Sequence, residues 1–94
     1  MRAALITEPG GPEVLQMQEI EDPTFGPDDV LVEVKASALN RADLAQRQGN
    51  YPAPPGIRGD VPGLEFSGIV LEVGSRATGV KEGDRVFGLL GGGG

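Results

Sequence analysis

Glycine and proline interrupt this chain at short intervals, and that punctuation limits which elements fit between them. The 94 residues include 16 glycines and eight prolines, far above average usage. The glycines follow no collagen-like period, and apolar segments separate them. This spacing favours short strands joined by tight turns over long helices. The length allows one small domain or part of one, and a hydrophobic fraction of 38% predicts a thin core.

Five segments have the composition of short strands, and residues 29–38 show the clearest pattern. Val30, Val32, Val34 and Ala36 alternate with residues of mixed polarity. Alternation with branched side chains on one face predicts a half-buried strand of an antiparallel sheet. The other predicted strands span residues 2–7, 14–20, 63–74 and 85–90. We expect the first of these to be covered on both faces and paired with the second.

Glu65 interrupts the apolar character of the fourth predicted strand. In a regular strand its side chain would share a face with Ile69, Leu71 and Val73. A buried carboxylate is costly unless it has a partner. The sequence leaves two interpretations open: a bulge at Gly68 re-aims the first half of the strand, or Glu65 lies at the exposed start.

One short helix is predicted between the two long strands, from residue 41 to about residue 48. Asn40 is a favoured N-cap residue, because its side-chain oxygen can accept from an early helical N–H. Asp43 places a carboxylate in the positively polarised first turn. Arg47 complements the negative C-terminus, and Gly49 suits the left-handed position beyond it.

Tyr51 follows this helix in a loop that is restricted by the prolines at positions 52, 54 and 55. Two interpretations of the segment remain from the residues alone. It is either a surface helix with a solvated loop, or a rigid unit that displays a polar cap and an aromatic ring at a functional site.

Charge and composition exclude several function classes. The net charge is −6, which argues against nucleic acid or an anionic membrane as partner. The absence of cysteine and histidine excludes disulfides, zinc sites built from thiolate or imidazole, and histidine acid–base chemistry in this segment. No apolar run approaches a membrane span and no signal peptide is evident, so we expect a soluble cytoplasmic protein.

The glycines form no nucleotide-binding motif. The chain has no strand–Gly-x-Gly-x-x-Gly–helix unit and no P-loop. The four glycines at positions 91–94 are either a flexible linker or part of a natural loop. The residues alone therefore predict an acidic, mostly β module, a small antiparallel barrel or sandwich with one short helix and no complete catalytic set.

Four short segments go further, because they occur together and in order. Residues 10–15, 38–43, 62–68 and 83–87 resemble the medium-chain dehydrogenase/reductase superfamily, and in particular its p53-inducible-type NADPH:quinone oxidoreductases. The resemblance implies a GroES-like, partly open antiparallel β-barrel, mostly β with one short helix and incomplete at its C-terminus. Residues 1–94 would form the N-terminal part of the catalytic domain. A Rossmann NADP-binding domain, absent from this chain, would follow.

The same resemblance bears on metal binding. Zinc alcohol dehydrogenases of the superfamily carry a cysteine where Asn40 lies and a histidine where Leu64 lies. Neither residue offers the thiolate or imidazole that catalytic zinc requires, and Glu65 alone makes no zinc site. The resemblance thus implies a zinc-free branch without metal-binding residues. A quinone suits such a site, because its reduction gains aromaticity and needs little help from a Lewis acid.

The implied activity of the parent protein is hydride transfer from NADPH to a quinone. Asn40 would lie beside the nicotinamide and bond the cofactor or the quinone oxygen, and Tyr51 would line the quinone pocket. No catalytic residue is assigned in this segment. In zeta-crystallin-like relatives a tyrosine that contacts the cofactor occupies the position of Ala45, which leaves the cofactor contacts here open.

Two other functions stay open at this point. One is zinc-free reduction of enones or enoyl thioesters within the same superfamily, and the other is a non-enzymatic GroES-like module or inert folding fragment. The parent is expected to be a homo-oligomer. The 94-residue chain alone is expected to be inactive, since it lacks the residues that would hold the pyrophosphate of NADPH.

Overall fold

The computed structural model describes residues 1–91, and the prediction for the terminal glycines at positions 92–94 lies outside them. The elements within this range are β1 (Arg2–Ile6), β2 (Leu15–Glu19), β3 (Val30–Ser37), α1 (Arg41–Arg47), β4 (Glu65–Val73) and β5 (Arg85–Leu89). A single 3₁₀ turn, Pro12–Val14, precedes β2. The predicted strands and the predicted short helix are confirmed in number and order. In the part of the chain described, no helix has the length and apolar character needed to cross a membrane.

The strands form two antiparallel sheets that do not close into a barrel. β1 pairs with β2, and the second sheet has the order β3-β4-β5. The predicted pairing of the first two strands is confirmed, with Leu5 opposite Gln16. The mostly β, open architecture with one short helix is therefore as predicted.

The core is thin, as the composition predicts. Its buried apolar side chains are Leu5, Val14, Val61 and Val70. The expectation that β1 is covered on both faces is wrong, because Ala4 is exposed and β2 is exposed along its whole length. β1 belongs to a two-stranded sheet, which leaves one of its faces without a packing layer among residues 1–91.

The alternation of β3 is broken by shifts in its register with β4. One shift falls between Val34 and Ala36, so that Lys35 has no partner in the register. Val30 and Val32 are half-buried, but Val34 is 54% exposed. The predicted shared core face therefore holds for the first two valines and is wrong for the third.

Gly68 lies where the backbones of β3 and β4 come closest. A Cβ atom at this position would stand 2.2 Å from the Glu33 carbonyl oxygen, far inside van der Waals contact. The predicted irregularity near Gly68 is confirmed in place. The additional residue is Lys35 in β3, however, and not Gly68 itself.

Candidate functional site

The start of α1 is built around Asn40, which has extended backbone angles (φ −124°, ψ 158°) and serves as the N-cap. The Asp43 carboxylate accepts a hydrogen bond from the Asn40 N–H at 2.8 Å, and the Asp43 N–H donates to the Asn40 carbonyl at 3.0 Å. These two bonds fix the first turn, and Asn40 and Asp43 occupy the predicted N-cap and first-turn positions. The predicted hydrogen bond from an early helical N–H to the Asn40 side-chain oxygen is not among them.

The Asn40 side chain also reaches β4. Its Nδ2 donates a hydrogen bond to Oε2 of Glu65 at 2.7 Å, in partly buried surroundings. Glu65 begins β4 and is itself half-buried, so it does not lie at an exposed start. Its partner is the amide of a residue 25 positions earlier in the chain. This bond joins two residues that the sequence singled out separately, and it ties the helix to the central strand.

Glu65 lines an open depression on the three-stranded sheet. In the register of β4 with β5, Glu65 lies opposite Leu89 and Ser67 lies opposite Phe87. The depression has a volume of about 450 Å³ and is also lined by Ala38. Phe87 is 88% exposed and Leu89 is 79% exposed. A hydrogen-bonded polar pair thus adjoins an accessible apolar surface.

Sequence reasoning missed Phe87 and Leu89 as parts of this surface. The signal was present in β5, where apolar residues at positions 87 and 89 share a face with Arg85 under period-two alternation. A strand face that includes a charged residue such as Arg85 is typically exposed to solvent. Phe87 and Leu89 lie on that face and are exposed with it.

The structure does not bring Tyr51 to the Asn40–Glu65 pair. Tyr51 is 42% exposed and follows the C-terminal end of α1, whereas Asn40 precedes its N-terminal end. A seven-residue helix is about 10 Å long. In residues 1–91 no hydrogen bond connects Tyr51 with either member of the pair.

The loop that carries Tyr51 is held by Gln46, which is 8% exposed. Its Nε2 donates to the Gly59 carbonyl at 3.0 Å and lies 3.5 Å from the Val61 carbonyl. A buried amide that bridges a helix to a loop fixes the path of that loop. No sequence pattern predicts this role, because glutamine is an ordinary surface residue in a short polar helix.

The same loop is anchored to β1 and carries an ion pair between Arg58 and Asp60. The Ile6 N–H donates to the Asp60 carbonyl at 2.8 Å. The Arg58 guanidinium donates to the Asp60 carboxylate, with Nη2 3.0 Å from Oδ2. This hydrogen bond lowers the pKa of Asp60 from its ordinary value.

The end of α1 is fixed against the turn that follows β1. The Arg47 Nε donates to the Gly10 carbonyl at 3.1 Å, and the Gly10 N–H donates to the Arg47 carbonyl at 2.9 Å. Gly49 has a positive φ of 85°, which confirms the predicted left-handed residue beyond the helix. Both ends of α1 are therefore positioned by contacts with distant segments.

The residues around Asn40 and Glu65 include few side chains that could bind a metal ion. Across residues 1–91 there is no group of three or more histidine, cysteine, aspartate or glutamate side chains placed to hold a metal ion. At the positions that the superfamily resemblance compares with zinc ligands, Asn40 donates its amide to Glu65 and Leu64 is apolar. These three residues offer one carboxylate and neither a thiolate nor an imidazole, which does not match a zinc donor set.

The chain matches the family described as the alcohol dehydrogenase GroES-like domain over residues 26–92. It is a member of that family. Among curated relatives, this GroES-like chain is 43% identical to quinone oxidoreductase-like protein 2 of Mus musculus over 88 residues, covering 94% of the chain and 24% of the relative. It is 39% identical to the chloroplastic NADPH-dependent alkenal/one oxidoreductase of Arabidopsis thaliana over 88 residues, covering 93% and 23%.

Solved structures agree with this assignment. The GroES-like chain matches the Escherichia coli quinone oxidoreductase complexed with NADPH at a TM-score of 0.77 and 38% identity, covering 93% of this chain and 26% of that one. It matches a cobalt- and zinc-bound thermostable alcohol dehydrogenase from Pyrobaculum aerophilum at 0.79 and 41%, covering 93% and 25%. These neighbours are medium-chain dehydrogenase/reductase proteins, as predicted. The chain spans about a quarter of the length of the relatives it matches.

Proposed function

We propose that the protein to which this chain belongs, called the parent below, reduces quinones with NADPH and does so without zinc. Residues 1–94 correspond in this proposal to the N-terminal part of its catalytic domain, and a Rossmann domain holds most of the cofactor. The observation that carries the proposal is the hydrogen bond from Asn40 to Glu65. Asn40 is the residue that the superfamily resemblance compares with a zinc ligand, and here its amide nitrogen serves as a hydrogen-bond donor. The oxidoreductase relatives support the general class of reaction.

The proposed reaction consumes NADPH, a proton and a quinone, and yields NADP⁺ and a hydroquinone. NADPH supplies the hydride when it is bound. Asn40 keeps a second amide N–H beyond the one that it gives to Glu65, and this N–H can donate to a carbonyl oxygen of the quinone or of the nicotinamide amide. Orientation of the two reactants is then the main contribution of the residues described here.

The apolar surface beside the pair suits a flat, uncharged acceptor. Phe87 and Leu89 present accessible apolar area next to Glu65, so a quinone ring that covers them removes that area from water. The family resemblance assigns Tyr51 to the acceptor, on which its ring would stack or to which its hydroxyl would donate. Within residues 1–91 Tyr51 does not line the depression beside Glu65, so its role is proposed and tested separately. The hold of Gln46 on that loop supports a defined place for the ring.

A second candidate is reduction of activated double bonds in enones. The identity to the Arabidopsis alkenal/one oxidoreductase, 39%, favours it nearly as strongly as the mouse relative favours a quinone. The two reactions share the cofactor and the need for a donor to a carbonyl oxygen. A non-enzymatic module is a third candidate.

Substrate profiling of the full-length parent decides among these candidates. NADPH oxidation is followed with para-benzoquinone and with but-3-en-2-one as acceptors, and NADH is tested in parallel. The proposal expects the highest kcat/KM with NADPH and the quinone. A higher kcat/KM with the enone supports the second candidate, and no turnover with either acceptor supports the third. The proposal also includes a cytoplasmic homo-oligomer, which cell fractionation and light scattering test.

A further inference from the structure

The contact between Asn40 and Glu65 determines how the asparagine amide is oriented. An ionised carboxylate has no hydrogen to donate, so the group that faces it must be the amide nitrogen and not the amide oxygen. Electron density alone rarely distinguishes the two ends of an asparagine side chain, but such a partner does. The 2.7 Å bond from Nδ2 to Oε2 therefore sets one of the two possible amide orientations.

Glu65 is itself well placed to hold that orientation. It starts the central strand of the three-stranded sheet, and Leu89 of β5 pairs with it directly. It is half-buried beside the open depression, so water competes less for its carboxylate than at a fully exposed site. Among residues 1–91, its side-chain hydrogen-bond donor is Asn40.

We propose that Glu65 is a positioning residue that acts through Asn40. It accepts one amide N–H of Asn40 and so directs the second N–H toward the carbonyl oxygen of the ligand. The inference rests on the proposed function, because it assumes that Asn40 meets the quinone or the nicotinamide amide. It extends that function by giving the carboxylate a defined role, and it limits the ligand group at Asn40 to a hydrogen-bond acceptor.

A double-mutant cycle in the full-length parent tests the proposal with NADPH and para-benzoquinone. Glu65→Ala should lower kcat/KM by about tenfold, the change expected on loss of one hydrogen bond to a charged group. Glu65→Gln should restore most of this loss, since its carbonyl oxygen can accept the same N–H. In an Asn40→Ala background, Glu65→Ala should change nothing further. Equal losses in both backgrounds would overturn the proposal.

A spectroscopic measurement separates this inference from the proposed function. The parent is prepared with isotope-labelled asparagine, and the Asn40 side-chain amide signal is assigned by its loss in Asn40→Ala. That signal should move in Glu65→Ala and stay in place in Glu72→Ala, which removes an exposed carboxylate of the same strand. The side-chain signal of exposed Asn50 should not move in either variant. If the Asn40 signal does not move in Glu65→Ala, the inference is contradicted, whichever reaction the parent catalyses.

Failure of the proposed function gives a different result. If the parent reduces no quinone, the same cycle is measured on the dissociation constant for NADPH. Coupling between the two residues in that constant supports the positioning role at the cofactor. A further outcome is that the Asn40 amide signal responds to Glu65→Ala although the two residues show no coupling in kcat/KM or in the dissociation constant for NADPH. That result would show a purely structural contact and would overturn the proposal.

Discussion

Asn40 combines two tasks that are usually separate. Its backbone and Asp43 close the first turn of α1, while its side-chain nitrogen binds Glu65 on the neighbouring sheet. A substitution at this position therefore affects the helix start and the proposed site together. Tyr51, at the other end of the helix, has no such structural bond to the pair and provides the simpler test.

The first prediction separates the two tasks of Asn40 in the full-length parent. Asn40→Ala should reduce quinone turnover and lower the free energy of unfolding by at most about 1 kcal/mol, the typical effect of replacing asparagine by alanine at an N-cap position. Asn40→Ser should recover the stability, because serine is a good N-cap, but not the turnover, because it is shorter and has no amide. Thermal unfolding and steady-state kinetics measure both effects. Recovery of turnover together with stability would show that Asn40 is only the cap.

The second prediction concerns Tyr51, whose ring is 42% exposed in a proline-rich loop. Tyr51→Ala in the parent should raise KM for para-benzoquinone while the melting temperature stays nearly constant, because little buried area is lost. Tyr51→Phe keeps the ring and removes the hydroxyl, so it distinguishes stacking from hydrogen bonding. A large fall in melting temperature for Tyr51→Ala would place the ring in the packing of the loop and would contradict a role in the acceptor pocket.

At the scale of elements, the pairing of β3 with β4 forms one side of the three-stranded sheet. Gly68 permits this contact, because a side chain there would collide with the Glu33 carbonyl oxygen. Lys35 follows the β3 residue opposite Gly68 and has no partner at the shift in register with β4. Glu65 and Asn40 lie beyond that shift, at the end of the sheet next to α1. The alignment of the proposed site thus depends on an irregular strand pair.

The third prediction follows from this close approach. Gly68→Ala should destabilise the chain by about 3 kcal/mol, the upper part of the range for overpacking, because the obstacle is backbone and cannot turn away. Gly91→Ala is the control, since no atom lies within 4 Å of a Cβ there. Chemical denaturation of both variants gives the comparison. A Gly68→Ala variant as stable as the control would mean that the two backbones lie further apart than described.

Local signals in the sequence were sufficient for the elements but not for the contacts between them. The strands follow from period-two alternation, and the helix follows from Asn40, Asp43 and Gly49, because these patterns act over a few residues. The exposure of Val34 (54%) was not predictable from alternation, because burial depends on which other segments pack over the strand. The register shift at Lys35 was not predictable either, because it is set by the pairing with β4.

The candidate site shows the same division. Asn40 was singled out from capping chemistry and Glu65 from its charge on an apolar strand, yet nothing local joins residues 25 positions apart. Gln46 went unnoticed, because its burial depends on the return of the loop at Gly59 and Val61. The family resemblance assigns Tyr51 to the quinone pocket, and within residues 1–91 no hydrogen bond connects it with Asn40 or Glu65.

At the scale of the whole molecule, a thin core is combined with an accessible apolar sheet face. Among residues 1–91 four apolar side chains are buried, while Phe87 and Leu89 are largely exposed. A small domain of this kind buries too little surface for high stability. The net charge of −6 makes the chains repel one another, and salt weakens this repulsion by screening it.

The fourth prediction is that the 94-residue chain unfolds with low stability and self-associates through this face. Association should increase with salt, since screening weakens the repulsion between acidic chains. Phe87→Thr should reduce association, because threonine keeps strand propensity and removes the exposed ring. Ile57→Thr, which changes an exposed apolar residue in the loop, should have no effect. Sedimentation at several concentrations measures this, and a strictly monomeric chain at high concentration and high salt would contradict it.

The fifth prediction tests the central claim, that the parent transfers hydride from NADPH to a quinone without zinc. The superfamily resemblance compares Asn40 and Leu64 with ligand positions of zinc enzymes, and the Asn40 amide nitrogen donates a hydrogen bond to Glu65. The measurement is the rate of NADPH oxidation with para-benzoquinone by the full-length parent, before and after exhaustive chelation, with metal content determined on the same samples. We expect the metal-depleted protein to keep its full rate and added zinc to leave it unchanged. A rate that falls in proportion to the zinc removed, and that zinc alone restores, would contradict the account.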